Sequence, residues 1–278
     1  MKKGKDFIYE KLYVTDLDGT LLNQSACISP YSEQVLKDLI EQGIHFTIAT
    51  GRSPFSAFSI MQNIPLNAPV ILMNGAAIYD LKCQKCLFSV PVCTSSFHNI
   101  LAAENKADIK GGYILSANDT FKGFICTTPT QKFYTYLNSY DFPLISSTLS
   151  CQEENSLLYA LYIDSANTRL ELMYNLLKHD SNIICDFYKD VYRQNCWCLE
   201  ITSSQATKYS AIQFLRTYGS YDCVTGFGDS WNDISLFQAC DESYAVANAS
   251  SKLKAIATAT IKSNIEDGVA DFLSKLLK

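Results

Sequence analysis

The chain has 278 residues, 47% of them hydrophobic and 18% charged, and carries a formal net charge of −5. That length and apolar content allow one large or two modest domains with a substantial core. The low charge, free of any block of one sign, excludes a disordered acidic tail and a basic nucleic-acid face, so no nucleic-acid partner is expected.

At the N-terminus Lys2, Lys3 and Lys5 give a basic start, but Tyr9, Glu10 and Lys11 interrupt the run that a secretion leader needs. Leu12 to Thr15 is a short apolar strand ended by the turn-forming pair Asp18-Gly19. Ser29-Pro30 then signals a helix start, Val35, Leu36, Leu39 and Ile40 supply its apolar face, and Gly43 ends it. Ile44 to Ala49 is the second strand, Ser53-Pro54 opens the next helix, and Val70 to Met73 is a third strand. Near-continuous apolar strands alternating with helices predict a doubly wound α/β fold with a parallel sheet covered on both faces.

From about Cys86 to Ile201 the pattern changes. Strands at Phe121 to Cys126, Leu157 to Ile163, Ile183 to Tyr188 and Trp197 to Ile201 are longer and half-polar. Helices are predicted near Ser95 to Glu104, Thr130 to Leu137 and Thr168 to Leu177. This predicts an antiparallel sheet with helices on one side, an α+β module. The doubly wound style then resumes with a helix from about Thr207 to Tyr218, a strand Asp222 to Gly226, a helix after Asn232, a strand Tyr244 to Ala247 and a closing helix from Gly268. The expected organisation is therefore a core of residues 1–85 and 202–278 with residues 86–201 inserted as a cap.

The eleven cysteines are odd in number and lack a leader, which predicts free thiols in a reducing, cytoplasmic setting. The spacings of Cys83 with Cys86 and of Cys196 with Cys198 form no common zinc pattern, so ordinary thiols are expected there. His45, His98 and His179 are scattered and are read as structural or surface residues. No apolar stretch approaches the ~20 residues of a membrane span, and no membrane partner is expected.

The chemistry lies at strand ends. Asp16-Leu17-Asp18-Gly19-Thr20 directly follows the first strand and projects two carboxylates at the carboxyl edge of the sheet, where open α/β folds bind ligands. Alone, it would be an Asp-Gly turn with two solvated acids. Thr50-Gly51-Arg52 ends the second strand, where a hydroxyl and a backbone N–H suit a phosphate oxygen, and Asn74-Gly75 ends the third. Gly228-Asp229-Ser230-Trp231-Asn232-Asp233 adds carboxylates after a later strand, and Lys208, read as one turn into its helix, adds an ammonium. An accidental set of caps and turns does not account for so many coincidences at one edge.

These stretches, together with Met73-Asn74-Gly75-Ala76, Ser263-Asn264 and Glu266-Asp267-Gly268-Val269-Ala270, resemble the haloacid dehalogenase superfamily, and within it the Cof-type phosphatases with an inserted α+β cap. The resemblance covers nearly the whole core in the right order, whereas the cap matches only by length and position. Ser203-Ser204-Gln205-Ala206-Thr207 before the lysine, and Ser235 and Phe237 after Asp233, depart from the usual pattern.

The resemblance implies a magnesium-dependent (Mg2+) phosphatase acting on a small phosphorylated metabolite, with a sugar phosphate as the family expectation. Asp16 would be the nucleophile that forms an aspartyl-phosphate, and Asp18 the general acid and then base. Thr50, Gly51, Lys208 and Asn232 would hold the phosphate. Asp16, Asp229 and the Asp18 backbone carbonyl would bind the metal, with Asp233 behind them. A monomer or weak homodimer is expected. A phosphotransferase or sugar-phosphate mutase would use the same residues, and a non-catalytic phosphometabolite-binding protein is the third alternative.

Elementary electrostatics agrees. Two carboxylates ~4 Å apart repel by about 4 kcal/mol at an effective dielectric near 20, so an anionic phosphate cannot join them unaided. A hard divalent cation with oxygen ligands resolves the conflict.

Overall fold

The computed structural model describes residues 10–125, 130–137, 155–190 and 193–277. In chain order, β1 (Lys11–Thr15), α1 (Pro30–Glu41), β2 (His45–Ile48) and α2 (Pro54–Met61) come first. Then follow β3 (Val70–Leu72), β4 (Ala77–Asp80), β5 (Lys85–Ser89), α3 (Thr94–Ala107), β6 (Gly112–Ala117), β7 (Thr120–Ile125) and α4 (Gln131–Leu137). Next are β8 (Leu157–Asp164), α5 (Thr168–Leu177), β9 (Ile183–Lys189) and β10 (Trp197–Ser203). The chain closes with α6 (Lys208–Gly219), β11 (Cys223–Gly228), α7 (Ile234–Ala239), β12 (Glu242–Val246), α8 (Ser251–Lys254), β13 (Ala259–Ile261) and α9 (Gly268–Ser274). Cys126, expected to end a strand, and the basic start at Lys2, Lys3 and Lys5 lie outside the described residues.

Two compact units result. One draws on Met1–Ala49, Ile64–Pro69 and Lys208–Lys278, the other on Thr50–Asn63 and Val70–Thr207.

The first unit is built on a parallel sheet in the order β13-β12-β11-β1-β2. Leu12 and Val14 of β1 are fully buried, as a strand covered on both faces requires. Neighbouring residues of β11 show the two coverings. A Cβ added at Gly226 would meet Leu236 of α7 and Cys240, whereas Phe227 packs edge-on against Phe272 of α9. Successive strand residues point to opposite faces, so α7 and α9 cover opposite sides of the sheet. The helix starts follow their sequence signals: Ser29 and Ser53 each accept a backbone N–H from the first turn, and Pro30 and Pro54 follow them.

The second unit contains an antiparallel sheet in the order β7-β6-β8-β10-β9, with α3 and α5 packed on it. Phe97 and Ile100 of α3 and Leu170 and Met173 of α5 share one apolar core with Tyr113, Tyr162, Leu199 and Ile201 of the strands. The fold class is as the sequence predicted, a doubly wound parallel-sheet unit and an α+β unit.

One pairing was not expected. Val70 to Leu72 is a strand as read from the sequence, and β3 also runs antiparallel to β4 in a three-stranded sheet β3-β4-β5. Met73, Asn74 and Gly75 all take positive φ (51°, 56° and 104°), which turns the chain back tightly from β3 into β4. Among the described residues no helix is long and apolar enough to cross a membrane.

Candidate active site

The site of the first unit grows from the ends of β1 and β11. Thr15 pairs with Phe227 in the parallel ladder, and the Asp16 N–H continues it by donating to the Phe227 carbonyl at 2.9 Å. Backbone pairing thus fixes Asp16 at the carboxyl edge. The next residues, Leu17–Leu21, form a tight loop closed by Leu22 N–H on the Leu17 carbonyl (2.9 Å).

Two glycines let the carboxylates approach. Gly19 has φ 75°, and a Cβ there would lie 2.3 Å from Asp229 Oδ2. A side chain would therefore collide with Asp229 as well as strain the backbone. At Gly228 an added Cβ would lie 2.6 Å from the Asp233 Cβ.

Asp233 is fully buried and completely used. Its Oδ2 accepts the backbone N–H groups of Asp229 and Ser230, each at 3.0 Å, and its Oδ1 accepts from Lys208 Nζ at 2.7 Å. Lys208 is itself buried and donates also to Asp16 Oδ1 at 2.6 Å. One ammonium thus bridges the ends of β1 and β11. Lys208 is the first residue of α6, not one turn into it as the sequence suggested.

Asp229 accepts from Thr20 Oγ1 at 3.2 Å, and its carbonyl accepts from Ser250 N–H at 2.9 Å. Asp18 is half-buried on the loop, with extended backbone (φ −72°, ψ 121°). Asn232 is half-buried in the Trp231–Asp233 turn, where its carbonyl accepts from Ser235 Oγ at 3.0 Å.

The remaining two expected phosphate-binding residues, Thr50 and Gly51, belong to the second unit. Thr50 is fully buried, its N–H donates to the Ile71 carbonyl (3.0 Å), and its Oγ1 accepts the Arg52 N–H (3.1 Å). A Cβ on Gly51 would come within 3.2 Å of the Asn74 side chain.

The charge balance of the cluster is uneven. Carboxylate oxygens of Asp16, Asp229 and Asp233 lie within 4.8 Å of one another, and Lys208 is the ammonium paired with Asp16 and Asp233. Burial raises the Asp16 pKa well above the usual range; Lys208 opposes the shift, while Asp233, Asp229 and Asp18 add to it. Burial and then Asp233 push Asp229 up to about 7, against the Thr20 hydrogen bond and Lys208. Burial works against the Lys208 charge, but Asp16 and Asp233 outweigh it and raise its pKa. The cluster therefore lacks positive charge. An all-oxygen donor set short of positive charge fits a hard divalent cation such as magnesium.

Sequence reasoning named Asn264 within a motif but missed Asn248 and the support that the two asparagines give the loop. Asn248 Nδ2 donates to the Gly19 carbonyl at 2.7 Å, and the Asn248 Oδ1 accepts the Asn264 N–H at 3.0 Å. Asn264 Nδ2 in turn donates to the Leu22 carbonyl at 2.8 Å. The available signal was an asparagine two residues beyond the apolar strand β12, the same strand-end logic that singled out Asp16 and Asp229.

The sequence profile of the haloacid dehalogenase-like hydrolases matches residues 13–273. The chain belongs to this family. The resemblance read from the motifs is borne out. Among haloacid dehalogenase-like relatives, the chain is 26% identical over 297 residues to phosphatase YwpJ of Bacillus subtilis, covering 96% of this chain and 100% of that protein. It is 24% identical over 282 residues to pyridoxal phosphate phosphatase YbhA of Escherichia coli, covering 95% and 97%. In fold it is similar to TM0651 from Thermotoga maritima, with TM-score 0.78, 20% identity, and 96% and 97% of the two chains covered.

Proposed function

We propose that this phosphatase of the haloacid dehalogenase-like family hydrolyses a small phosphorylated metabolite, such as a sugar phosphate, through a phosphoryl group carried on Asp16, with magnesium as cofactor. The observation that carries the reading is the buried Lys208 ammonium held between Asp16 and Asp233 at 2.6 and 2.7 Å, with Asp229 in the same cluster. A structural ion pair needs no second and third carboxylate, and burying them is costly unless the surplus charge has a use.

In this reading an Asp16 oxygen attacks phosphorus as the bond from phosphorus to the metabolite oxygen breaks. Asp18 gives its proton to the departing alkoxide, then takes one from the water that attacks phosphorus, releasing phosphate and restoring the Asp16 carboxylate. Lys208 orients Asp16 and balances the charge of the transferring group, with Asn232 as a further phosphate contact. Asp16, Asp229 and the Asp18 carbonyl would hold magnesium, which when bound supplies the missing positive charge. Asp233, bonded to two backbone N–H groups and to Lys208, fixes the Asp229 loop and the ammonium together.

Substrate choice is assigned to the inserted segment 86–201, because every proposed catalytic residue lies outside it. The free state of every described cysteine supports a reducing, cytoplasmic setting.

The test is phosphate release from a panel of phosphorylated metabolites with magnesium. Release without any acceptor is expected. Turnover that requires an acceptor alcohol would make the protein a transferase or mutase, and no turnover with any ester would overturn the reading.

A further inference from the structure

Apart from the acidic cluster, a second group of metal-binding side chains lies at the loop end of the β9–β10 hairpin. Asp190, Cys196 and Cys198 each offer a ligand atom, and the three atoms lie within 4.8 Å of one another. The hairpin brings them together for a simple reason. Lys189 pairs with Trp197 in the antiparallel ladder, and the Asp190 N–H extends it by donating to the Cys196 carbonyl at 2.9 Å. Asp190 therefore stands opposite Cys196, and Cys198, two residues along the same strand, shares its face with Cys196.

The chemistry of the set is unlike that of Asp16 and its neighbours. Cys196 and Cys198 are almost fully buried, at 1% and 2% exposure. Two soft thiol sulfurs with one carboxylate suit zinc and disfavour magnesium. Arg193 lies against the third donor: its N–H bonds Asp190 Oδ1 at 3.1 Å and its Nη1 bonds Oδ2 at 2.9 Å. Two thiolates and a carboxylate around a divalent cation leave one negative charge, and Arg193 both offsets that charge and orients the carboxylate.

We propose that Asp190, Cys196 and Cys198 form a zinc-class metal site that clasps the β9–β10 hairpin, independent of the cation at Asp16 and Asp229. The sequence expectation of ordinary thiols rested on the linear spacings of the two cysteine pairs taken together. The donor that joins Cys196 and Cys198 is instead a carboxylate across the hairpin, which linear spacing does not reveal.

Cobalt titration of the reduced, chelator-stripped full chain tests this. Co2+ bound by thiolate gives a near-ultraviolet charge-transfer band, whereas the all-oxygen set of Asp16, Asp229 and Asp233 gives none. The expected result is a saturable band that persists in excess magnesium, is lost on adding zinc, and is unchanged in Asp16→Asn. It should disappear in Cys196→Ser/Cys198→Ser. Should that variant fail to fold, Asp190→Asn keeps both thiols and should weaken cobalt binding about tenfold or more. No thiolate band in the folded parent, a band that survives the loss of both cysteines, or affinity indifferent to Asp190→Asn would each overturn the site.

Discussion

Lys208 Nζ and Asp16 Oδ1 lie 2.6 Å apart, both residues almost fully buried and 192 positions apart in the sequence. The same ammonium holds Asp233, so removing it strands two buried carboxylates at once. Lys208→Met should lower turnover by about 100-fold or more, because a preorganised positive group at the transferring phosphoryl is lost. Breaking a buried pair costs about 3–5 kcal/mol, and the loss should be smaller at about pH 5 than at about pH 8, because protonation relieves Asp16, whose pKa burial already raises. Thermal melting at the two pH values, beside steady-state kinetics, checks both statements. A variant as active as the parent would remove Lys208 from the mechanism.

Magnesium should stabilise the folded chain increasingly as pH rises. Asp229 has a folded pKa of about 7 against an ordinary 3.8, so between these values the metal-free folded state holds a proton that the unfolded chain releases. The contribution of Asp229 to metal-free stability therefore falls as pH rises through that window and is least favourable above it. Magnesium competes with that proton, so its increment to the melting temperature should be small near pH 5 and larger near pH 8. Asp229→Asn should abolish most of the increment at both. Melting curves with and without magnesium decide it; an increment independent of pH and of Asp229 would place the cation elsewhere.

Gly19→Ala should inactivate the protein through Asp229. The new Cβ would fall 2.3 Å from Asp229 Oδ2, on a backbone at φ 75°. Strain of about 1–3 kcal/mol is expected, together with a weaker magnesium response as Asp229 is displaced. Magnesium titration of activity distinguishes this from a stability effect alone: the half-saturating concentration should rise.

Asn248→Ala should act at one remove. It frees the Gly19 carbonyl and loosens the loop that carries Asp18, without deleting any proposed catalytic group. Losses of about 10–100-fold in turnover or metal affinity are typical when such a support is cut. A purely structural asparagine would lower the melting temperature and leave the magnesium requirement of the remaining activity unchanged.

How far the sequence reveals all this depends on the range of the interaction. Strand ends and helix caps are local, so the edge positions of Asp16 and Asp229 and the starts at Ser29 and Ser53 are legible from a few residues each. The antiparallel pairing of β9 is legible from its half-polar character, whereas β8 is buried along its whole length and its pairing is not. What was illegible is relational. The reversal at Met73 to Gly75 depends on three successive positive φ angles, two of them in non-glycine residues. Asn248 gains meaning only when Gly19, 229 positions away, is seen to accept its hydrogen bond. Asp190 reads as a loop acid until the hairpin register sets it opposite Cys196.

The central claim is that Asp16 itself takes the phosphoryl group, and the stereochemical course at phosphorus tests it most directly. A substrate ester whose phosphoryl group is made chiral with sulfur and oxygen isotopes is hydrolysed in isotopically labelled water, and the configuration of the released thiophosphate is determined. Attack by Asp16 followed by attack of water inverts phosphorus twice, so the account predicts net retention. Net inversion would mean a single direct displacement by water and would contradict it.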